Sequence, residues 1–253
     1  MLRDLRSPVA LRRAPGCLLI LVLAQISLNG ANAQNKAASR AWTLPLNSMD
    51  RIEVKNLPQN SSPPPNTKTE VTTYRGKRAF HMLLDTDGQA LAIVKNSNFT
   101  NGTIEVDLAG MPRQGAPEDA RGFIGISFRV QDHGGRFETV YLRMTNARSA
   151  DQLRRNHSVQ YTSDPDFPWH RLRKENPGVY ESYVDLDAGA WTKLRIVVQR
   201  VKALVYVNGA LQPCLIVNDL KLGESSGQIA LYATSDTDAY FSNLKIVPAQ
   251  GTE

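Results

Sequence analysis

Cysteine is scarce in this sequence, with two residues among 253, Cys17 and Cys214. So few cannot staple a chain, so burial has to hold the fold. Cys214 reads as a small buried hydrophobe rather than a reactive thiol. Long hydrophobic runs are missing too. The longest, CLLILVLAQISL from Cys17 to Leu28, falls short of the roughly 20 residues that a membrane-spanning helix needs. No stretch carries a sustained apolar stripe at helical spacing. Histidines number four, and His81, His133, His157 and His170 show no metal-ligand spacing, so no metal centre is expected. Excess charge is modest, at 30 Lys and Arg against 24 Asp and Glu. Half of that +6 comes from Arg3, Arg6, Arg12 and Arg13 against Asp4. Arg154, Arg155, Arg171 and Arg173 are interleaved with acids, so nucleic acid is not an expected partner.

The N-terminus has a basic start, a short apolar stretch and small residues at Ala31 and Ala33. That is the pattern of a secretory signal peptide cleaved after Ala33. The expected division is a signal peptide over 1–33, a flexible lead-in over 34–41, one β-sandwich over 42–248 and a tail over 249–253. The product is expected to be secreted or periplasmic, with no membrane partner once the leader is removed. Oligomeric state is left open.

From Trp42 to Val54 the chain reads as a short edge strand, with Pro45 keeping it off a sheet centre. Leu57 to Thr67, with three consecutive prolines, reads as an exposed loop. Short β-type runs then succeed one another, bounded by Gly, Asp and Asn turns: EVTTY, AFHMLLD, ALAIV, GTIEVDLAG, WTKLRIVVQR, GQIALYA and AYFSNLKIV. Asn208-Gly209 after ALVYV is the strongest short hairpin signal. Such a succession argues for an all-β sandwich or barrel. RLRKENPG supplies one helical turn at most.

The best strand pair is Gly122–Gln131 with Phe137–Met144. Ile124, Ile126, Phe128 and Val130 alternate on one face, as do Val140, Leu142 and Met144. Matching these faces places Phe128 opposite Val140 and Ile126 opposite Leu142. The other face then carries Arg129 beside Thr139, Ser127 opposite Tyr141 and Gly125 opposite Arg143. Small residues opposite large polar ones leave room for a groove, and a solvated face with ordinary cross-strand pairs fits as well.

The strand phrases together resemble the concanavalin A-like lectin/glucanase superfamily, and especially its laminin-G-like bacterial branch near the 3-keto-disaccharide hydrolase or DUF1080-like domains. The segment from Tyr141 to Leu186, YLRMTNARSADQLRRNHSVQY…DFPWHRLRKENPGVYESYVDL, resembles a group of secreted bacterial proteins of this fold. The resemblance implies a two-sheet antiparallel jelly-roll sandwich whose concave face binds glycans in many relatives. It does not carry over catalytic residues. The glucanase E-x-D-x-x-E run is absent, since Glu105-Val106-Asp107 lacks the second glutamate. Phe128-Arg129-Val130 stands where the keto-disaccharide hydrolases have Asn-Ser-Gly.

Sugar sites need aromatic faces for C–H patches and planar polar groups for paired hydroxyls. Arg129, Tyr141, Arg143 and Asn146 are the candidate floor of such a site. Arg154, Arg155, His157, Gln160, Tyr161 and Trp169 are the candidate wall, with Asp151 and Asn156 as further ligand-binding candidates of the same polar segment. Their alternative role is to brace a long loop. Glu138, Asp151, Glu175 and Glu181 are the carboxyls open to an acid role in glycoside hydrolysis, although Glu138 shares the apolar parity and sits at a rim or pairs with an arginine. No cofactor is expected, and the Asp-x-Asp phrases at Asp85, Asp164, Asp185 and Asp236 are turn-like, with a structural calcium as their other use. Three readings stand: a lectin-like module for a glycan or other polar small ligand, a glycan-cleaving enzyme of the same fold, and a structural or adhesive domain.

Overall fold

The computed structural model describes residues 41–58, 67–84 and 88–249. The expected signal peptide, nearly all of the lead-in, the centre of the proline loop and residues 250–253 of the tail lie outside the described residues. The strands are β1 (Trp42–Leu44), β2 (Ile52–Pro58), β3 (Thr67–Tyr74), β4 (Lys77–Leu84), β5 (Gly88–Phe99), β6 (Gly102–Pro112), β7 (Phe123–Gln131), β8 (Arg136–Arg143), β9 (Val159–Asp164), β10 (Glu181–Ser182), β11 (Thr192–Gln199), β12 (Lys202–Val207), β13 (Leu215–Val217), β14 (Gly227–Thr234) and β15 (Thr237–Pro248). Two short helices, α1 (Gln152–Arg155) and α2 (Trp169–Glu175), flank β9.

One sheet runs β13-β12-β11-β6-β15-β4-β3, with β1 also on β15, and the other runs β10-β9-β8-β7-β14-β5-β2. All the pairings are antiparallel. Alternate residues of each strand enter the layer between the sheets. Ile104, Val106, Leu108 and Phe241 from one sheet meet Ile124, Ile126, Val140 and Leu231 from the other. Each such side chain, fully buried, contributes about 1.5–3 kcal/mol. The chain is thus an all-β, two-sheet antiparallel sandwich.

Four local expectations change. The stretch from Trp42 to Val54 is two strands in different sheets, with Trp42 opposite Ile246 and Ile52 opposite Val94. Leu46, fully buried at a positive φ of 59°, and a Ser48–Asp50 side-chain bond turn the chain between them. As far as Phe128 the β7–β8 hairpin keeps the expected faces, but its register is displaced by two residues: Ile126 pairs with Val140, Gly125 with Tyr141 and Phe123 with Arg143. The cause is a bulge between Phe128 and Gln131, where Arg129 takes a φ of 51°, followed by a 3-10 turn over Asp132–Gly134. The bulge moves Val130 to the outer face and swings Arg129 into the interior. Next, α2 spans seven residues rather than one turn, anchored by buried Leu172. Finally, Asn208-Gly209 opens a longer loop, because β12 meets β13 at Val205 opposite Leu215. The Asn208 side chain is occupied in accepting from the Lys193 amide.

The outer face of the seven-stranded sheet is apolar in its middle. Leu91, Ile93, Val130, Phe137, Tyr141, Ala230 and Tyr232 form a second buried cluster there. Gln89 on β5 and Asp164 on β9 are four strands apart in the sheet order, about 19 Å if the sheet were flat. Both nonetheless line one cavity, and the Gln89 side chain acts on the Asp164 carboxyl. This face is therefore concave.

Candidate functional site

The concavity holds a cavity of about 210 Å³. Its floor is aromatic. Phe123 and Tyr141 meet edge-on with centroids 5.7 Å apart, and Tyr141 and Tyr232 are 5.6 Å apart. Gly125 lies opposite both tyrosines, on β8 and β14. A Cβ on Gly125 would stand 2.2 Å from the Val140 carbonyl and 2.7 Å from Tyr141 Cβ, so only glycine lets the two rings converge. The rim is polar, with Gln89, Thr234 and Ser235 on one side and Thr162, Asp164 and His170 on the other. Burial pushes the Asp164 carboxyl above the usual range, against the opposing pull of Gln89 and Thr162.

Trp169 and Pro168 complete the lining. The β9–α2 connection is fixed by two backbone bonds between Ser163 and Phe167, and Leu172 pins the helix to the core. Trp169 at its start is left 43% exposed, and the Arg173 guanidinium lies 4.8 Å from its ring centroid.

Beside the cavity lies a charged network around Glu181, which is almost wholly buried. Arg173 Nε donates to Glu181 Oε1 at 2.9 Å and Arg173 Nη2 to Oε2 at 2.6 Å. His157 Nε2 is 3.2 Å from Oε1 and Arg143 Nη1 is 3.9 Å from Oε2. Arg143 also donates to the His157 carbonyl, Gln160 Oε1 and the Tyr141 hydroxyl. Burial lowers the His157 imidazole. Glu181 pulls it back up, Arg173, Arg143 and Arg121 oppose that, and the net shift is downward. This network borders an open cleft of about 660 Å³ lined by Leu153, Asn156, His157, Arg173, Glu181 and Tyr183, among others.

The sequence candidates therefore fall into three places. Tyr141 and Trp169 line the cavity. Arg143, His157 and Gln160 join Glu181 beside it, while Asn146 donates to the His157 carbonyl and accepts from Arg154. Arg129, Glu138 and Tyr161 lie together in the interior on the opposite side of the sheet, Tyr161 donating to Glu138 at 3.0 Å. Of the remainder, Asp151 caps α1 by accepting from the Leu153 and Arg154 amides. Asn156 accepts from Gln152, and Arg155 stacks over Tyr183. Glu175 pairs with Arg171 at the surface. Each of the four carboxyls considered for acid chemistry thus has fixed partners.

Sequence reading missed Gln89, Phe123, Asp164, His170, Tyr232 and Arg173. For Phe123 and Tyr232 a signal existed: both have the outward parity of their strands, where a large aromatic side chain needs something to cover it. Among the described residues no group of three or more His, Cys, Asp or Glu is placed to hold a metal ion.

No family model and no curated protein matches this chain. Solved structures do. A Bacillus subtilis protein with a galectin-like fold is similar at a TM-score of 0.55 and 10% identity, over 85% of this chain and 99% of that one. The exoplasmic/lumenal domain of VIP36, in its Ca2+- and Man3GlcNAc-bound form, is similar at 0.54 and 10% identity, over 83% and 90%. The carbohydrate-binding module CBM66 from Bacillus subtilis is similar at 0.49 and 16% identity, over 72% and 92%. With its two antiparallel sheets, the chain is a concanavalin A-like, galectin-like jelly-roll sandwich.

Proposed function

We propose that this chain is an exported carbohydrate-binding module whose ligand enters the concave-face cavity. One observation carries the reading: half-exposed Trp169 shares a cavity with the Tyr141–Tyr232 pair, Gln89 and Asp164. Aromatic rings suit the C–H faces of a sugar, and the amide and carboxyl suit its hydroxyls. At about 210 Å³ the cavity is smaller than the roughly 300–1,000 Å³ typical of larger ligands. It therefore takes a single sugar unit, and the rest of a chain lies over the adjacent cleft. Among the described residues Asp164 is the only carboxyl on the lining. The two-carboxylate route of glycoside hydrolysis needs a second one across the substrate, so binding is preferred to cleavage. The signal-peptide pattern over residues 1–33 supports export. Binding of the purified protein to a glycan array tests the proposal. Trp169→Ala should lose the signal with its melting temperature nearly unchanged, and a folded protein that binds no glycan overturns the reading.

A further inference from the structure

The concave face carries more positive charge than its own acids neutralise. Glu181 is the one buried carboxylate of the network, and Arg173, His157 and Arg143 already surround it. Two further guanidiniums stand close by. Arg154 donates to Asn146 Oδ1 and to the Thr145 hydroxyl. Arg121, whose carbonyl accepts from the Thr145 amide, is half-buried, and its side chain has no hydrogen bond or ion pair among the described residues. Burial and the repulsion of Arg154, Arg143 and Arg173 weaken its hold on a proton, and exposed Asp119 pulls the other way without cancelling them. Two donors in the network also lack acceptors. Arg143 Nε is buried with no partner, and Arg173 Nη1 has none among the described residues. Arg173 meanwhile lines the cleft and stacks on Trp169 of the cavity, so the free charge lies between the two hollows.

We infer that the ligand of this face is an anionic glycan, and that Arg121 and Arg173, backed by Arg143 and Arg154, receive a carboxylate or sulfate group on the sugar unit next to the cavity. This rests on the carbohydrate-binding reading. Guanidinium pairs with carboxylate or sulfate through two parallel charge-assisted hydrogen bonds, and filling this place with an anion relieves the mutual repulsion of the arginines. A neutral glycan offers those donors only hydroxyl acceptors, whose hydrogen bonds lack the charge of a carboxylate or sulfate and leave the repulsion in place.

The test is titration calorimetry of the full protein with three probes: a galacturonate oligosaccharide, the same oligosaccharide with its carboxyls reduced to neutral hydroxymethyl groups, and a sulfated oligosaccharide of equal length. The expected result is that an acidic probe binds at least about tenfold tighter than the neutral one, and that added salt narrows the gap. Arg121→Gln should remove about tenfold from acidic binding and leave neutral binding unchanged, whereas Trp169→Ala should weaken both. Whichever acidic probe binds tighter identifies the anion as carboxylate or sulfate. Equal binding of neutral and acidic probes, or an Arg121→Gln protein with full acidic affinity, overturns this inference and leaves the binding module standing. Binding of none of the three overturns both.

Discussion

Arg129 Nη1 lies 3.4 Å from Glu138 Oε2, and both side chains are wholly excluded from solvent. The guanidinium also donates to the carbonyls of Thr100, Arg200 and Gly223, tying three loops together at one end of the sandwich. Burial raises the Glu138 carboxyl. The Leu222 amide, Arg129 and Tyr161 oppose the rise but do not cancel it. Removing one partner strands the other in a dry interior. Arg129→Met should therefore cost about 3–5 kcal/mol in urea unfolding. Adding Glu138→Gln to it should recover part of that loss, and a double variant no better than the single would show that the loop carbonyls dominate.

Gly125 is expected to tolerate no side chain. Its Cβ would meet backbone on β8, which cannot move aside without breaking the sheet. Gly125→Ala should cost about 1–3 kcal/mol and spread the Tyr141–Tyr232 pair. Denaturation and glycan binding measured together should both suffer.

His81 joins three strands on the outer face of the eight-stranded sheet, touching Glu70 on β3 and Asp238 on β15 and stacking on Tyr240 at 4.4 Å. Burial alone would lower its imidazole, but the bonds to Asp238 and Glu70 outweigh burial and the net shift is upward. A raised folded value means that the charged form adds stability below the unfolded value of about 6.5, and that this gain fades as pH climbs through the folded value. The melting-temperature gap between the native protein and His81→Gln should be largest in mild acid and shrink at alkaline pH. A gap independent of pH would show that stacking, not charge, matters here.

Cys214 should be inert in the folded protein. Burial pushes its thiol up to about 11, the nearby backbone amides pulling weakly the other way, and the thiol donates to the Val205 carbonyl. Since the thiolate is the reactive form, a chromogenic disulfide at pH 8 should leave Cys214 unmodified until urea is added. Fast labelling of native protein would contradict this.

Alternation of apolar residues was enough to read the sandwich, the faces of β8 and those of β7 as far as Phe128, because a one-residue slip would expose a whole face; beyond the bulge Arg129 and Val130 exchange sides. It could not fix the register of that pair, since a two-residue slip preserves parity and only the bulge at Arg129 decides it. The polar segment from Asp151 to Tyr183 stood out in sequence, yet most of its side chains bond to one another or to backbone. The cavity instead recruits Gln89, Phe123 and Tyr232 from strands whose sequences read as ordinary core. Only the outward parity of Phe123 and Tyr232 marks two of them locally, because what brings the three together is the curl of the sheet.

The last two strands of the chain do not lie at the sheet edges. β14 sits between β7 and β5, and β15 between β6 and β4. Until residues 227–248 have been synthesised, each sheet exists only as two separate halves with unpaired borders. Tyr232 pairs with Leu91 across most of the domain's length, so assembly waits on contacts between distant parts of the chain, which form slowly. No fragment that ends before β14 retains the concave face, and a nascent chain halted there is an aggregation hazard rather than a working half-domain.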